Sequence, residues 1–246
     1  MQAAERICGM IGTLVNTGAI IAGGIAGHLF GKMLKARHQE TLTAACGIGT
    51  LFIGISGAVG YMMRSDVFPG GGTMLVIICL ALGGLAGEII DIEKQLEHFG
   101  EWLKIKTGNA KDQRFVNGFL TASLTVCIGA MAIVGAIQDG ISGDWSTLGA
   151  KAILDLIIIM VMTCSLGKGC VFSAIPVLIW EGALTLLASV IRPLMTDTAM
   201  AYLSLVGSVL IFCVGVNLVW GKKIRVANLL PAVLLAAAAS FLNIRF

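Results

Sequence analysis

The chain has 246 residues, of which 57% are hydrophobic and only 13% are charged, and its formal net charge is +3. Soluble domains are usually about a quarter charged, so this composition excludes an ordinary soluble protein and indicates a membrane protein. The small positive charge gives no reason to expect a nucleic-acid partner.

Apolar runs of about 20 residues are long enough for a helix to cross a bilayer. Eight such spans are predicted, at 7–31, 41–61, 73–91, 115–138, 149–167, 170–190, 200–220 and 226–243. The first run is longer than the apolar core of a signal peptide, so we treat it as a span. The fold expected is therefore all-α, a polytopic transmembrane helical bundle that forms one integral membrane domain over residues 1–246.

Lysine and arginine fix the expected orientation, because connectors rich in these residues stay in the cytoplasm. Twelve of the seventeen lie in connectors that follow the odd-numbered spans. These are Lys32, Lys35, Arg37, Lys94, Lys104, Lys106, Lys111, Arg114, Lys168, Lys222, Lys223 and Arg225. Lys151 is counted among the five on the opposite side. Both termini are therefore expected outside the cytoplasm.

The pentad GGIAG at 23–27 returns as GGLAG at 83–87, near the ends of the first and third spans. After each pentad comes a span that crosses back through the membrane, and these two spans have similar sequences. The repetition predicts duplicated helical hairpins. Small residues four apart allow helix backbones to touch in lipid. Helix packing is therefore expected at Gly23, Gly27, Gly31, Gly83 and Gly87; cavities or hinges in a transport path are the alternative. Such faces also suit a homo-oligomer.

In residues 92–106, apolar residues that include Phe99 and Leu103 recur every three or four positions, and charged residues occupy most of the positions between them. This spacing predicts an amphipathic helix on the cytoplasmic side. Trp102 and the lysines near its end suit a helix at the lipid headgroups. Packing onto the protein's own cytoplasmic face is equally consistent with the pattern.

Ionisable residues inside spans are candidates for function, because they are costly in lipid and usually face a bundle interior or a watery cavity. Glu181, near the middle of the sixth span, is the first candidate, and Asp155 in the fifth span is the second. No Lys or Arg partner is predicted within the membrane for either. This favours a protonated carboxyl or a cation site, with neutral structural carboxyls as the alternative.

Further polar residues are weaker candidates for a transport path. Asn16 and Asn117 lie in the first and fourth spans, where such groups often hydrogen-bond between helices instead of binding a substrate. Asp139 is expected at the outer surface, in a vestibule or a solvated loop. Pro176 and Pro231 lie within predicted spans and are expected to break helices locally.

No catalytic, cofactor or metal-binding motif occurs in the sequence. There is no metalloprotease H-E-x-x-H, no G-x-S-x-G and no nucleotide-binding loop. The seven cysteines form no C-x-x-C pair, so neither a zinc site nor a disulfide framework is expected. The sequence therefore predicts a protein that is not an enzyme and that needs no cofactor.

Several segments resemble a known family. They are MIGTLVNTGAIIAGGIAGHLFGKML (10–34), GGLAGEIIDIEKQLEHFGEWL (83–103), RFVNGFLTASLTVCIGAMAIVGAIQDG (114–140), FSAIPVLIWEGALTLLA (172–188) and KKIRVANLLPA (222–232). These resemble the bacterial inner-membrane proteins catalogued as domain of unknown function 554, the YqgA/YdfK type. The resemblance implies a bacterial cytoplasmic membrane protein. It implies no reaction and carries no functional residues.

These observations favour a small transporter or channel for a small solute or cation. The alternative is a membrane scaffold or sensor that does not transport and acts through its cytoplasmic helix at 92–106.

Overall fold

The computed structural model describes residues 10–31, 33–70, 72–128 and 130–242, and all regular structure within these ranges is helical. The α-helices are α1 (Ile11–Gly31), α2 (Ala36–Met62), α3 (Thr73–Ile90), α4 (Ile92–Lys106), α5 (Phe115–Cys127), α6 (Ala130–Ser142), α7 (Ser146–Leu166), α8 (Ala174–Leu186), α9 (Ala188–Ile191), α10 (Asp197–Trp220) and α11 (Pro231–Ala239). Short 3-10 helices lie at Lys168–Ser173, Arg192–Leu194, Val226–Leu229 and Ser240–Leu242. The predicted all-α class is confirmed.

The described residues contain six helical segments that are long and apolar enough to cross a membrane. A seventh arises if the pair Phe115–Cys127 and Met131–Ser142, whose axes meet at 62°, counts as one broken span. The predicted span 226–243 instead forms the shorter apolar segment Val226–Ala239. The number of about eight spans is therefore not confirmed.

The chain divides into two compact units. Unit one contains the residues up to Cys46 together with Phe99–Pro193, and unit two contains Gly47–His98 together with the residues from Leu194 onward. Within unit one, α1 runs parallel to α7. Within unit two, α3 packs against α11 and against the 3-10 helix before it.

Glycines bring the backbones of α1 and α7 into contact. A Cβ atom added to Gly23 would collide with the carbonyl oxygen of Leu156, and one added to Gly27 would collide with that of Met160. A Cβ on Gly31 would lie 3.1 Å from the Cα of Cys164. Because the helices approach this closely, polar side chains nearer the start of α1 lie beside those in the first half of α7.

The second pentad makes similar approaches within unit two. A Cβ on Gly83 would collide with the backbone nitrogen of Ala232, and one on Gly87 with the carbonyl oxygen of Asn228. Each pentad therefore has its own backbone partner inside its own unit.

Two long helices end in the same way. The caps of α7 and α10 are Gly167, with φ of 94°, and Gly221, with φ of 78°, a left-handed region that favours glycine. A lysine and a 3-10 helix follow each cap. Pro176 and Pro231 then lie in the first turns of α8 and α11, where a missing N–H costs no helical hydrogen bond. The helix breaks therefore precede both prolines.

The helix α4 covers the range expected for the amphipathic helix. In its second half, the ring of Phe99 lies 5.9 Å from that of Phe119 on α5, and Leu103 is buried. Trp102 and Ile105 remain exposed. In the part of α4 that belongs to unit one, Phe99 thus packs against α5 and Leu103 is covered, while Trp102 and Ile105 leave an uncovered apolar edge.

Candidate functional site

A cluster of buried polar side chains joins α1, α7 and α8 in unit one. The side-chain amide of Asn16 donates from Nδ2 to both carboxylate oxygens of Glu181, at 2.9 Å and 3.1 Å. The ammonium of Lys151 lies 3.4 Å from Oε1 of Glu181 and also pairs with Asp155, one turn further along α7. We call Asn16, Lys151, Asp155 and Glu181 the polar cluster.

The polar cluster is almost completely shielded. Its members are 0% (Asn16), 6% (Lys151), 4% (Asp155) and 1% (Glu181) exposed. Apolar side chains flank these residues in the sequence, and the same three segments are apolar enough to span a membrane. In such surroundings a charge is stable only when it is paired and hydrogen-bonded.

The structure corrects one sequence-based expectation. The two carboxylates were expected to lack a cationic partner, yet Lys151 pairs with both. Lys151 lies in the second turn of α7, with its aliphatic stem and ammonium directed into unit one and not into an outer connector. The signal that points to this arrangement is the spacing of four residues between Lys151 and Asp155, which places them on one helix face.

Hydroxyl groups extend the polar contact between α1 and α8. The hydroxyl oxygens of Thr13 and Thr185 lie 3.2 Å apart, one turn away from Asn16 and Glu181 on their respective helices. Thr17 donates its hydroxyl to the carbonyl oxygen of Thr13. Two pairs of polar side chains, Asn16–Glu181 and Thr13–Thr185, therefore hold α8 against the first half of α1.

Asp139 is buried and not at a surface. Its side chain is 0% exposed, and Oδ2 accepts a hydrogen bond of 2.9 Å from the backbone N–H of Gly12. Gly12 belongs to the first turn of α1, whose N–H groups have no partner within the helix. The expected vestibule or solvated loop is therefore wrong for this residue, because α6 continues to Ser142 and α1 begins against it.

Asn117, the remaining candidate, is exposed near the start of α5. The hydrogen bonds that build the polar cluster do not involve it. Three of the candidates named from the sequence, Glu181, Asp155 and Asn16, therefore lie together in the cluster, whereas Asn117 lies outside it.

The cluster combines one ammonium with two carboxylates. Among the described residues, the buried oxygens Asn16 Oδ1 and Asp139 Oδ1 have no hydrogen-bond donor. Buried acceptors are normally satisfied, so each of these two oxygens can still accept a hydrogen bond. The described residues include no group of three or more His, Cys, Asp or Glu side chains arranged to hold a metal ion.

A separate charged network lies at the turn after α10 in unit two. The ammonium of Lys222 pairs with Glu93 at 2.6 Å and with Glu97 at 2.5 Å, and Arg225 pairs with Glu88 at 3.0 Å. Burial alone lowers the pKa of Lys222, but the hydrogen bonds to both glutamates outweigh it and the pKa is raised. The network fastens the basic turn to the first half of α4.

Two bacterial proteins are similar to this chain over nearly its whole length. One is the uncharacterized membrane protein YdfK of Bacillus subtilis (strain 168), 30% identical over 232 residues, which cover 94% of this chain and 96% of the relative. The other is the uncharacterized protein YqgA of Escherichia coli (strain K12), 31% identical over 244 residues, with 94% and 96% covered. No solved structure matches the chain. The family model described as protein of unknown function (DUF554) matches residues 11–241, and the chain belongs to this family of membrane proteins.

Proposed function

We propose that the protein is a small transporter or channel for a small solute or ion, and that the polar cluster is the polar element of its path. The observation that carries this proposal is the buried arrangement of Lys151 between Asp155 and Glu181. Ionisable groups at membrane depth often mark ion pathways and proton relays. The proposal assigns no chemical reaction to the protein.

The charge balance of the cluster supports a role for protons or monovalent cations. With all three groups ionised, one ammonium faces two carboxylates and the cluster carries an uncompensated negative charge. An uncompensated charge is expensive in a medium of low dielectric constant. One proton shared by Asp155 and Glu181, or one bound cation, removes it. The cluster is thus suited to take up and release a single positive charge.

Transport requires access to the cluster, which is closed in the described conformation. Two features of unit one provide places for movement. At Gly23, Gly27 and Gly31 the backbone of α1 lies against α7, so α1 contributes no interlocking side chain at these three positions. The 3-10 helix Lys168–Ser173 joins α7 to α8, so α8 is not continuous with its neighbour. We infer that α8 moves relative to α1 to expose Glu181.

The proposal also includes the membrane location, the orientation of the termini and the duplication of helical hairpins. Similarity to the two bacterial proteins supports a location in the bacterial cytoplasmic membrane. The distribution of Lys and Arg supports an orientation with both termini outside. The burial of Lys151 strengthens this asymmetry, because it removes a positive charge from the outer connectors. The two glycine pentads support duplicated hairpins, and their packing inside separate units leaves a homo-oligomer as a weaker proposal.

A scaffold or sensor acting through α4 is the second candidate function. Trp102 and Ile105 are 52% and 67% exposed, which suits contact with lipid headgroups or a partner. Phe99 and Leu103, however, are occupied by packing within unit one. The surface left for a partner is therefore narrow, and we rank this function below transport.

Flux in proteoliposomes tests the transport proposal. Labelled sodium, potassium, phosphate and acetate serve as probes under an imposed pH gradient, while an entrapped pH-sensitive dye follows protons. We expect the native protein to move at least one probe or to conduct protons, and Glu181→Gln to abolish this movement. Glu101→Gln is the matched control, because Glu101 is exposed on α4 and its one ion pair among the described residues is with Lys104. Absence of all flux in the native protein, or equal flux in Glu181→Gln, would count against transport.

A further inference from the structure

Unit one contains a cavity of about 210 Å³ at the opposite end of α1 and α7 from the polar cluster. Its lining includes Arg114 and Lys168, together with the polar side chains of His28, Gln39, Asp112 and Thr163. The lining therefore comes from four places: the end of α1, the end of α7 with the residues that follow it, the first turn of α2, and the residues just before α5.

Two positively charged side chains at this cavity are not neutralised. Among the residues that the structure describes, neither Arg114 nor Lys168 forms an ion pair. The carboxylate of Asp112 also lines the cavity, but its Oδ1 accepts the backbone N–H of Arg114 at 3.0 Å. Two cations and one carboxylate leave the cavity with an excess positive charge.

Neighbouring hydrogen bonds hold Arg114 in position. Its Nη1 donates to Oε1 of Gln39 at 3.3 Å. The Nε2 of Gln39 in turn donates at 3.1 Å to the carbonyl oxygen of Gly31, the last residue of α1. A guanidinium has five N–H donors, so this contact leaves donors for another acceptor. The end of α1 therefore positions an arginine that retains hydrogen-bonding capacity.

We propose that this cavity binds a small oxyanion, a phosphate or carboxylate group, through Arg114 and Lys168. A guanidinium matches two oxygens of such a group, and an ammonium adds a point charge. The volume of the cavity is below the 300 Å³ or more that is typical of sites for drug-sized ligands. The occupant is therefore a small free anion or the headgroup of an anionic lipid.

This inference goes beyond the proposed function, because the cavity and the polar cluster use different side chains. An oxyanion site at Arg114 and Lys168 is independent of whether Glu181 lies on a transport path. The two proposals therefore fail separately: one is tested by flux and the other by binding.

The test measures binding of labelled inorganic phosphate to the full-length protein purified in neutral detergent at low salt. We expect saturable binding that weakens by about tenfold or more when both charged donors are lost in Arg114→Gln/Lys168→Gln. Both side chains are exposed, so this variant should fold, which thermal unfolding checks. Arg64→Gln is the control, because Arg64 is an exposed cation in unit two that pairs with Asp66.

A second arm separates the two sources of the anion. Native protein and variants are reconstituted in nanodiscs of phosphatidylcholine with or without phosphatidylglycerol, and bound lipid is counted by native mass spectrometry. Retention of phosphatidylglycerol by native protein but not by the double variant, without phosphate binding, would assign the site to a lipid headgroup. The proposal is overturned if neither probe binds, if the double variant binds as well as native protein, or if Arg64→Gln weakens binding equally.

Discussion

The ammonium of Lys151 on α7 lies 3.4 Å from Oε1 of Glu181 on α8, across the helix break at Gly167. The same ammonium pairs with Asp155. Lys151 therefore balances the negative charge of two buried carboxylates. It also links α7 to α8, the helix that follows it in the chain. Its removal affects both the charge balance and the packing of unit one.

Replacing Lys151 by methionine should destabilise the protein. Methionine approximates the length of the lysine stem but leaves both carboxylates without a cation. Removing one partner of a buried ion pair typically costs about 3–5 kcal/mol. We expect a clearly lower midpoint of thermal unfolding in detergent. Lys106→Met is the control, because Lys106 is exposed at the end of α4 and should change the midpoint little. Equal midpoints for the native and Lys151→Met proteins would contradict the assigned pairing.

Much of this arrangement follows from the sequence. Long apolar runs predicted the main helices, and isolated polar residues within them identified Glu181, Asp155 and Asn16. The pattern of basic residues does not reveal the role of Lys151, because a rule based on orientation assigns every basic residue to a connector. Such counting ignores the possibility that a long side chain turns inward to meet a carboxylate one turn away.

Other differences depend on contacts between distant segments. Asp139 is buried because the first turn of α1 supplies an N–H donor, a relationship across 127 positions that no local pattern contains. Asn117 is exposed because it lies on the outer face of α5, whose other face packs inside unit one. The predicted span 115–138 divides into two helices, although its apolar composition alone describes one crossing. The composition of a segment indicates how long and how apolar its helix is, but not which distant residues its side chains contact.

Substitution of Gly27 by alanine should weaken the contact between α1 and α7. The added Cβ meets the carbonyl oxygen of Met160, which is backbone and cannot move as a flexible side chain does. We expect a lower unfolding midpoint, by the equivalent of about 1–3 kcal/mol for overpacking.

The same helix offers a matched control for this change. In the part of the chain that the structure describes, nothing beyond its own helix lies within 4 Å of a Cβ on Gly18, so Gly18→Ala should meet no neighbour and gain helix propensity. Gly18→Ala should leave the midpoint unchanged or raise it slightly. If the two variants behave alike, the close approach of α1 and α7 does not determine their stability.

The network at Lys222 predicts a dependence on alkaline pH. Burial lowers the pKa of this ammonium and its hydrogen bonds to Glu93 and Glu97 raise it, with a net rise above the ordinary value of 10.5. A raised pKa in the folded state stabilises the protein below pH 10.5, and this contribution is lost as the pH rises through the folded-state pKa. The advantage of native protein over Lys222→Gln in unfolding midpoint should therefore be constant near neutral pH and should shrink above pH 10.5.

Lys223→Gln controls for the loss of one positive charge at the same turn. Lys223 is exposed, and its backbone N–H, not its ammonium, bonds to Asn217 at 2.8 Å. This variant should show the same alkaline decline as native protein. A difference between native protein and Lys222→Gln that persists unchanged to strongly alkaline pH would show that the ion pairs are not its source.

The charge balance of the polar cluster makes a prediction that needs no knowledge of the transported solute. If one proton is shared by Asp155 and Glu181, infrared spectra of native protein in nanodiscs should contain the C=O band of a protonated carboxyl group. Both Glu181→Gln and Asp155→Asn should remove this band, because the proton belongs to the pair and either variant leaves one carboxylate balanced by Lys151. Lys151→Met should instead strengthen it, since two carboxyls then lack a cation. Asp139→Asn tests whether the buried carboxyl of Asp139 contributes separately. A native spectrum that is unchanged in Glu181→Gln and Asp155→Asn would contradict a shared proton, and the excess negative charge would then require a bound cation.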